Sequence, residues 1–256
     1  MILRDYHVHS TFSDGVNTPE EIVLAALEKG MDELGFSEHA YAPHDYDCGM
    51  PLGTEVAYRA EIARLKEKYA GRIRILCGVE QDYYSVLPAD EYDYRIGSVH
   101  NVCEQGEYYA VDGSAEEQRQ AIDRFYGGDA YGMCERYYAM VSEIVERTNA
   151  DIIGHFDLLT KFCEQQPLFD LHHPRYIAAW QAAADKLLRT GKPFEINTGA
   201  ITRGYRTTPY PMADIRAYLQ DRGAKFILSS DSHSAETLCW GFDRFGKGLP
   251  LTTLGA

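Results

Sequence analysis

The sequence predicts an α/β protein, a closed or nearly closed parallel barrel of seven β→α units. Three observations carry this. Seven short apolar runs alternate with helical patterns along the chain. No Gly-x-Gly-x-x-Gly follows the first run, which counts against a doubly wound open sheet. Residues that ligate metals collect at the C-terminal ends of the runs, the end where barrel enzymes carry their active sites.

The first strand is read from residues 1–10 and carries His7 and His9. Successive side chains of a strand point to opposite faces, so this spacing puts both imidazoles on one face. Asp14 follows in the loop Ser13-Asp14-Gly15. A helix should start at Thr18-Pro19-Glu20-Glu21, with Thr18 as N-cap, Pro19 in the first turn and acids beside the positive end of the helix dipole, and end near Gly30. The second run ends near Phe36 and delivers His39, and the third ends near Val79 and delivers Glu80. The fourth, ending near Val99, delivers His100, and the fifth, ending near Gly154, delivers His155. The sixth ends near Ile196, and the seventh, near Leu228, delivers Asp231 and His233 at the same alternate spacing as His7 and His9. Further helices are expected over about 54–70, 115–126, 131–148, 174–190 and 211–222, three of them stopped by Gly71, Gly191 and Gly223.

Composition bounds the function. A chain of 256 residues suits one large domain, read here as a single barrel over 1–256. A net charge of −14 argues against a general nucleic-acid binder, because no long basic stripe could neutralise phosphates. No signal-peptide pattern or membrane-length apolar run is found, and the six cysteines are scattered, so a cytoplasmic protein with reduced thiols and no membrane partner is expected.

Six of the nine histidines stand at strand ends. With Asp14, Glu80 and Asp231 they offer too many donors for one or two ordinary metal sites, and three divalent ions is the economical count. Glu80, central among the strands, is the candidate bridging carboxylate. Three such ions outweigh three carboxylates, which leaves a local positive surplus suited to an oxyanion ester. Zn, Fe and Mn all accept imidazole and carboxylate ligands. The other histidines, His44, His172 and His173, sit in loop-like contexts and are read as solvated or locally bonded side chains, with His44 still able to reach a substrate from the rim. Tyr83, Tyr84, Tyr92, Tyr94, Tyr108 and Tyr109 are read as half-buried packing.

Together His7-x-His9, Asp14, Glu38-His39, Glu80, Ser98-Val99-His100, Gly154-His155-Phe156-Asp157 and Ser230-Asp231-Ser232-His233 resemble the successive motifs of the polymerase-and-histidinol-phosphatase (PHP) superfamily. The likeness spans about residues 6–234. Tyr109–Ser114, Gly127-Gly128-Asp129 and Glu195-Ile196-Asn197-Thr198 resemble its monofunctional histidinol-phosphate phosphatases. The resemblance implies a distorted TIM-like (β/α)7 barrel with a trinuclear site at the C-terminal ends of the strands. It implies one metal on His7, His9, Glu80 and Asp231, a second on Glu80, His100 and His155, and a third on Asp14, His39 and His233. Glu80, Asp231 and His233 would be catalytic, and the reaction would be hydrolysis of L-histidinol phosphate by a metal-bridging hydroxide.

Two positions depart from the family pattern. Where members often read Asn-Thr-Ser-Gly-Leu-Arg, this chain reads Asn197-Thr198-Gly199-Ala200-Ile201-Thr202-Arg203, and the basic residue after the Gly-His-Phe-Asp motif is Lys161. Arg203 and Lys161 are the candidate phosphate-binding residues. Selection of the substrate's cationic end is expected from an acidic rim over 101–132, namely Glu104, Glu107, Asp112 and Asp129. The alternatives are another phosphoesterase on the same barrel, acting on phosphotyrosine or nucleotides, or a metal-binding barrel without catalysis.

Overall fold

In the computed structural model, which describes residues 3–44, 48–86 and 91–255, the apolar runs become short strands that hydrogen-bond side by side. They are β1 (Arg4–Asp5), β2 (Glu33–Phe36), β3 (Arg74–Asp82) and β4 (Tyr94–Ser98), then β5 (Asn101–Glu104) and β6 (Glu107–Ala110), and finally β7 (Ile152–Ile153), β8 (Phe194–Asn197) and β9 (Phe226–Ser229). Seven of them form one sheet in the order β1-β2-β3-β4-β7-β8-β9, with every pairing parallel. Its two ends meet through the chain just beyond β1 and β9. His9 N donates to the Ser232 carbonyl at 2.8 Å and Ser232 N to the His7 carbonyl at 3.1 Å. The expected barrel therefore closes at the residues that flank its two His- and Asp-bearing pairs. The regular ladder of the first strand is shorter than the expected run, and Met1 and Ile2 of that run lie outside the described residues.

Helices cover the outside: α1 (Pro19–Glu28), α2 (Glu55–Lys68), α3 (Ala115–Tyr126), α4 (Ala130–Val141), α5 (Ile144–Thr148), α6 (Pro174–Leu188), α7 (Gly199–Thr202), α8 (Ala213–Asp221) and α9 (Phe242–Phe245). The start of α1 is the one read from sequence. Thr18 and Glu21 form a reciprocal capping box, and Pro19 fills the first turn. The single helix expected over 131–148 is instead two, α4 and α5. At the break the Ser142 hydroxyl donates to the Ala139 carbonyl at 2.7 Å, and Glu143 N turns to the nearer Met140 carbonyl at 2.9 Å. Among the described residues no helix lies between β3 and β4, which is one distortion of the barrel. None of the described helices is long and apolar enough to cross a membrane.

The barrel floor is a plug of Tyr6, Leu76, Tyr94, Ile96, Ile152 and Ile227. Tyr94, expected to be half-buried, is fully buried, because β2 and β3 leave room for its ring at Gly35 and Gly78. A Cβ at Gly78 would stand 2.3 Å from that ring. The Tyr94 hydroxyl donates to the Tyr6 carbonyl at 2.6 Å, tying β4 to the first strand across the interior. The plug is a rigid base, and the polar strand ends stand above it.

Candidate metal centre

His7 and His9 leave the first strand on one face, as their spacing requires, and both are completely buried. The loop after them folds back so tightly that a Cβ at Gly15 would lie 2.4 Å from the His9 carbonyl oxygen, so only glycine fits. Glu38, just beyond β2, holds that loop. It accepts from Ser10 N at 3.0 Å, from Ser10 Oγ at 2.6 Å and from Ser13 Oγ at 2.5 Å, and so brings Asp14 over the barrel mouth. His39 follows β2, His100 follows β4 and His155 follows β7. Asp231 follows β9 with φ of 50°, a left-handed backbone uncommon outside glycine, which turns both it and His233 back toward the mouth.

Glu80, near the end of β3, is the hub. Its Oε2 lies 3.1 Å from His7 Nε2, 3.6 Å from His9 Nε2 and 3.0 Å from His39 Nδ1. Its Oε1 lies 2.9 Å from His155 Nε2 and 3.4 Å from His100 Nε2. Asp231 Oδ1 stands 3.5 Å from His9 Nε2 and 3.8 Å from His7 Nε2. Asp14 lies 3.1 Å from His233 Nε2 and 3.8 Å from both His9 Nδ1 and His39 Nε2. Three overlapping groups have ligand atoms close enough to share an ion: His9, Asp14, His39 and His233; His7, His9 and Glu80; His39, Glu80 and His100. Each pair of groups shares a member, so seven of the nine residues singled out in the sequence join through them, and His155 beside Glu80 and Asp231 beside His9 complete the cluster.

The donor set fits divalent metals. His7 Nε2, both ring nitrogens of His9, His155 Nδ1 and Glu80 Oε2 are buried atoms with no hydrogen-bond partner. Buried polar atoms are seldom left so, and here most of them surround the same carboxylate. The charge balance agrees. Burial would raise the pKa of Glu80, but His7, His39 and His100 around it, with a hydrogen bond from His155, hold it well below the usual carboxylate range. Burial together with the neighbouring His233 and His39 lowers His9 to about 3, which leaves its imidazole neutral and ready to ligate. Against the effect of burial, Glu80 raises His39 to about 9 and His100 to about 10. Ions entering the cluster would displace those protons.

An outer layer orients these ligands. Glu195, on β8, accepts from His7 Nδ1 at 2.6 Å, which fixes the tautomer and aims Nε2 at the cluster. Its other oxygen accepts from His155 N at 2.9 Å and from Asn197 Nδ2 at 3.2 Å. Ser98 Oγ donates to Glu80 Oε1 at 2.5 Å, and Asp82 accepts from His100 N at 2.8 Å. The sequence reading gave none of these four residues an individual role. For Asp82 a signal existed, since Glu80-x-Asp82 repeats the one-face spacing of the ligand pairs.

The cluster opens into a cavity of about 460 Å³, lined also by Arg203, Lys161, Asp112, Tyr205 and His44. Arg203 donates to Asp231 Oδ2 at 3.0 Å and to His233 Nδ1 at 2.9 Å. Lys161 donates to the Asp112 carbonyl at 2.8 Å and lies 3.2 Å from its carboxylate. His44, which could reach a substrate from the rim, lines the cavity, its ring stacked on Tyr108 at 4.1 Å. One expectation is corrected here. Of the expected acidic rim only Asp112 lines the cavity: Glu104 pairs with Arg136, Glu107 with Arg124 and Asp129 with Arg175. His173 has the local role expected of it, accepting from Arg175 N at the start of α6 at 3.2 Å.

Residues 5–199 match the PHP domain family. The chain belongs to the PHP family. The match covers the strands that supply His7 through His155, and Arg203, Asp231 and His233 lie beyond it. A "probable histidinol-phosphatase" of Deinococcus radiodurans is 30% identical over 247 residues, covering 90% of this chain and 86% of that protein. Among solved structures, a provisionally assigned histidinol phosphatase from Listeria monocytogenes superposes with a TM-score of 0.81 at 23% identity, covering 94% of this chain and 99% of that one. The histidinol phosphate phosphatase of Lactococcus lactis, solved with zinc, L-histidinol and phosphate, gives 0.65 at 23% identity, over 91% and 87% of the two chains. These likenesses are to the fold, a PHP-type distorted barrel.

Proposed function

We propose that this PHP barrel is a metal-dependent phosphatase that hydrolyses L-histidinol phosphate to L-histidinol and phosphate. The observation that carries the reading is the single cluster of six imidazoles with Asp14, Asp231 and buried Glu80, facing a cavity that also presents Arg203 and Lys161. The Deinococcus relative's name and the ligands of the Lactococcus structure support the choice of substrate.

In this reading His7, His9, Glu80 and Asp231 hold one divalent ion, Glu80, His100 and His155 a second, and Asp14, His39 and His233 a third, with Zn, Fe or Mn as the ions. Bound there, such ions supply a water of lowered pKa and neutralise charge on the phosphate oxygens. The protein supplies position and charge, which phosphoryl transfer chiefly needs. Glu80, Asp231 and His233 face the reacting group and are the catalytic residues. Arg203 stands beside Asp231 and His233 with a fork geometry suited to phosphate oxygens, and Lys161 adds a point charge in the same cavity. The same reading makes residues 1–256 one domain, its partner a small phosphate monoester and its compartment the cytoplasm.

A panel of phosphate monoesters assayed on metal-loaded protein tests this. Histidinol phosphate is expected to exceed phosphotyrosine and nucleotides in kcat/KM by on the order of a hundredfold, the scale at which a dedicated polar site rejects a wrong side group. A chelator should abolish the activity. A nucleotide or phosphotyrosine as best substrate would replace the assignment, and turnover indifferent to chelation would end the metal reading.

A further inference from the structure

Beside the candidate ligand cluster and Arg203 the cavity is lined by Asp112, which among the described lining residues is the acidic group outside the cluster and lies near enough to His100 and His155 to feel their charge. It follows Val111, a fully buried residue whose N–H donates to the His100 carbonyl at 2.8 Å, so its backbone is tied to the end of β4. Asp112 is therefore placed beside the strand end that carries a metal-ligand candidate, and its carboxylate meets Lys161. Lys161 spans to it from the segment after His155, bonding the Asp112 carbonyl and lying 3.2 Å from the carboxylate, with its ammonium 4.8 Å from the centre of the Tyr205 ring. Lys161 is largely and Asp112 partly shielded from water, with side-chain exposures of 12% and 26%, and Lys161 is the nearest cation to the carboxylate, ahead of His100 and His155.

We propose that this pair divides over the substrate: Lys161 turns to the phosphate, and Asp112 accepts the substrate's ammonium. The inference rests on the phosphatase reading of the same cavity and adds the feature that selects the ester. In histidinol phosphate the ammonium sits on the carbon next to the ester methylene, close to the phosphate rather than at the imidazole end. A dianionic phosphate draws Lys161 away from Asp112. An ester that brings its own ammonium restores a partner to the carboxylate, and one without it leaves a shielded charge unpaired. Selection then comes mainly from the penalty on the wrong ester, the route by which polar sites discriminate most strongly. The amino group, not the imidazole, is what Asp112 reads.

The test compares kcat/KM for L-histidinol phosphate and for its deamino analogue, the imidazolylpropyl phosphate ester, on metal-loaded protein. Asp112→Asn should lower the ratio of the two values by about tenfold to a hundredfold, the effect of one charged contact. Lys161→Met should lower both esters together. Each ratio is taken on one preparation, so any loss of folded protein cancels. If Asp112→Asn lowers both esters in parallel, Asp112 only steadies Lys161 and the proposal is overturned, as it is if the ratio does not move. The two readings fail separately. Should the wild type turn over neither imidazole ester, the substrate assignment falls, and the same ratio taken with aminoethyl and ethyl phosphate still decides the role of Asp112.

Discussion

Glu80→Gln is expected to cost at least one metal ion per chain and nearly all turnover. Glu80 is about 1% exposed, and its two oxygens together approach five imidazoles, those of His7, His9, His39, His100 and His155. Glutamine keeps the shape of the side chain but removes its charge and one oxygen acceptor. The amide nitrogen would then point N–H groups at ring nitrogens or ions that need a lone pair. A bridging carboxylate is also the group that would let two ions approach each other, so both would be weakened by one change. A fall of a thousandfold or more corresponds to roughly 4 kcal/mol in the barrier, within what electrostatic groups of this type supply. Metal analysis and steady-state kinetics on the same preparation would check this. Wild-type metal content together with a wild-type rate would remove Glu80 from the centre.

Glu195→Gln should show the second largest effect, although Glu195 touches no ion in the proposed arrangement. It holds His7 by Nδ1 and His155 by its backbone N–H, so one side chain orients two ligands on different strands. Loss of such an outer partner typically costs about tenfold to a hundredfold in metal affinity or activity. The neutral amide can still accept one hydrogen bond, but it no longer strengthens His7 as a donor to metal. Competition titration against a chelator should show weakened binding with the fold intact by circular dichroism. Unchanged affinity and rate would reduce Glu195 to a packing residue.

The candidate ligand set was legible in the sequence because strand ends are local features. His7-x-His9 and Asp231-x-His233 show a shared face by spacing alone, and placing them at the mouth needed only the order of strands and helices. What escaped was set by distance in the chain. Glu195 meets His7 across 188 positions, and nothing local distinguishes it from any other strand carboxylate. Glu38 was visible beside His39, but its partners Ser10 and Ser13 belong to another loop. The β5–β6 hairpin was missed for a different reason. Its tight turn is Gln105-Gly106, both with positive φ, and glutamine there lacks the usual Asn-Gly or Asp-Gly signature. That hairpin leads directly into Asp112, so the acid facing the cavity could not be separated from its neighbours Glu104 and Glu107 until the fold was known. The family likeness named the barrel correctly and pointed to Arg203 and Lys161, while their place in the lining of the cavity became visible only in the fold.

The most direct test of the central claim is metal analysis of the purified protein joined to its turnover of histidinol phosphate. The nine-residue cluster predicts about three divalent ions per chain at full activity. Removing them should abolish hydrolysis, and adding them back should restore it in proportion to occupancy. Protein with less than one ion per chain that still hydrolyses histidinol phosphate at its full rate would contradict the account.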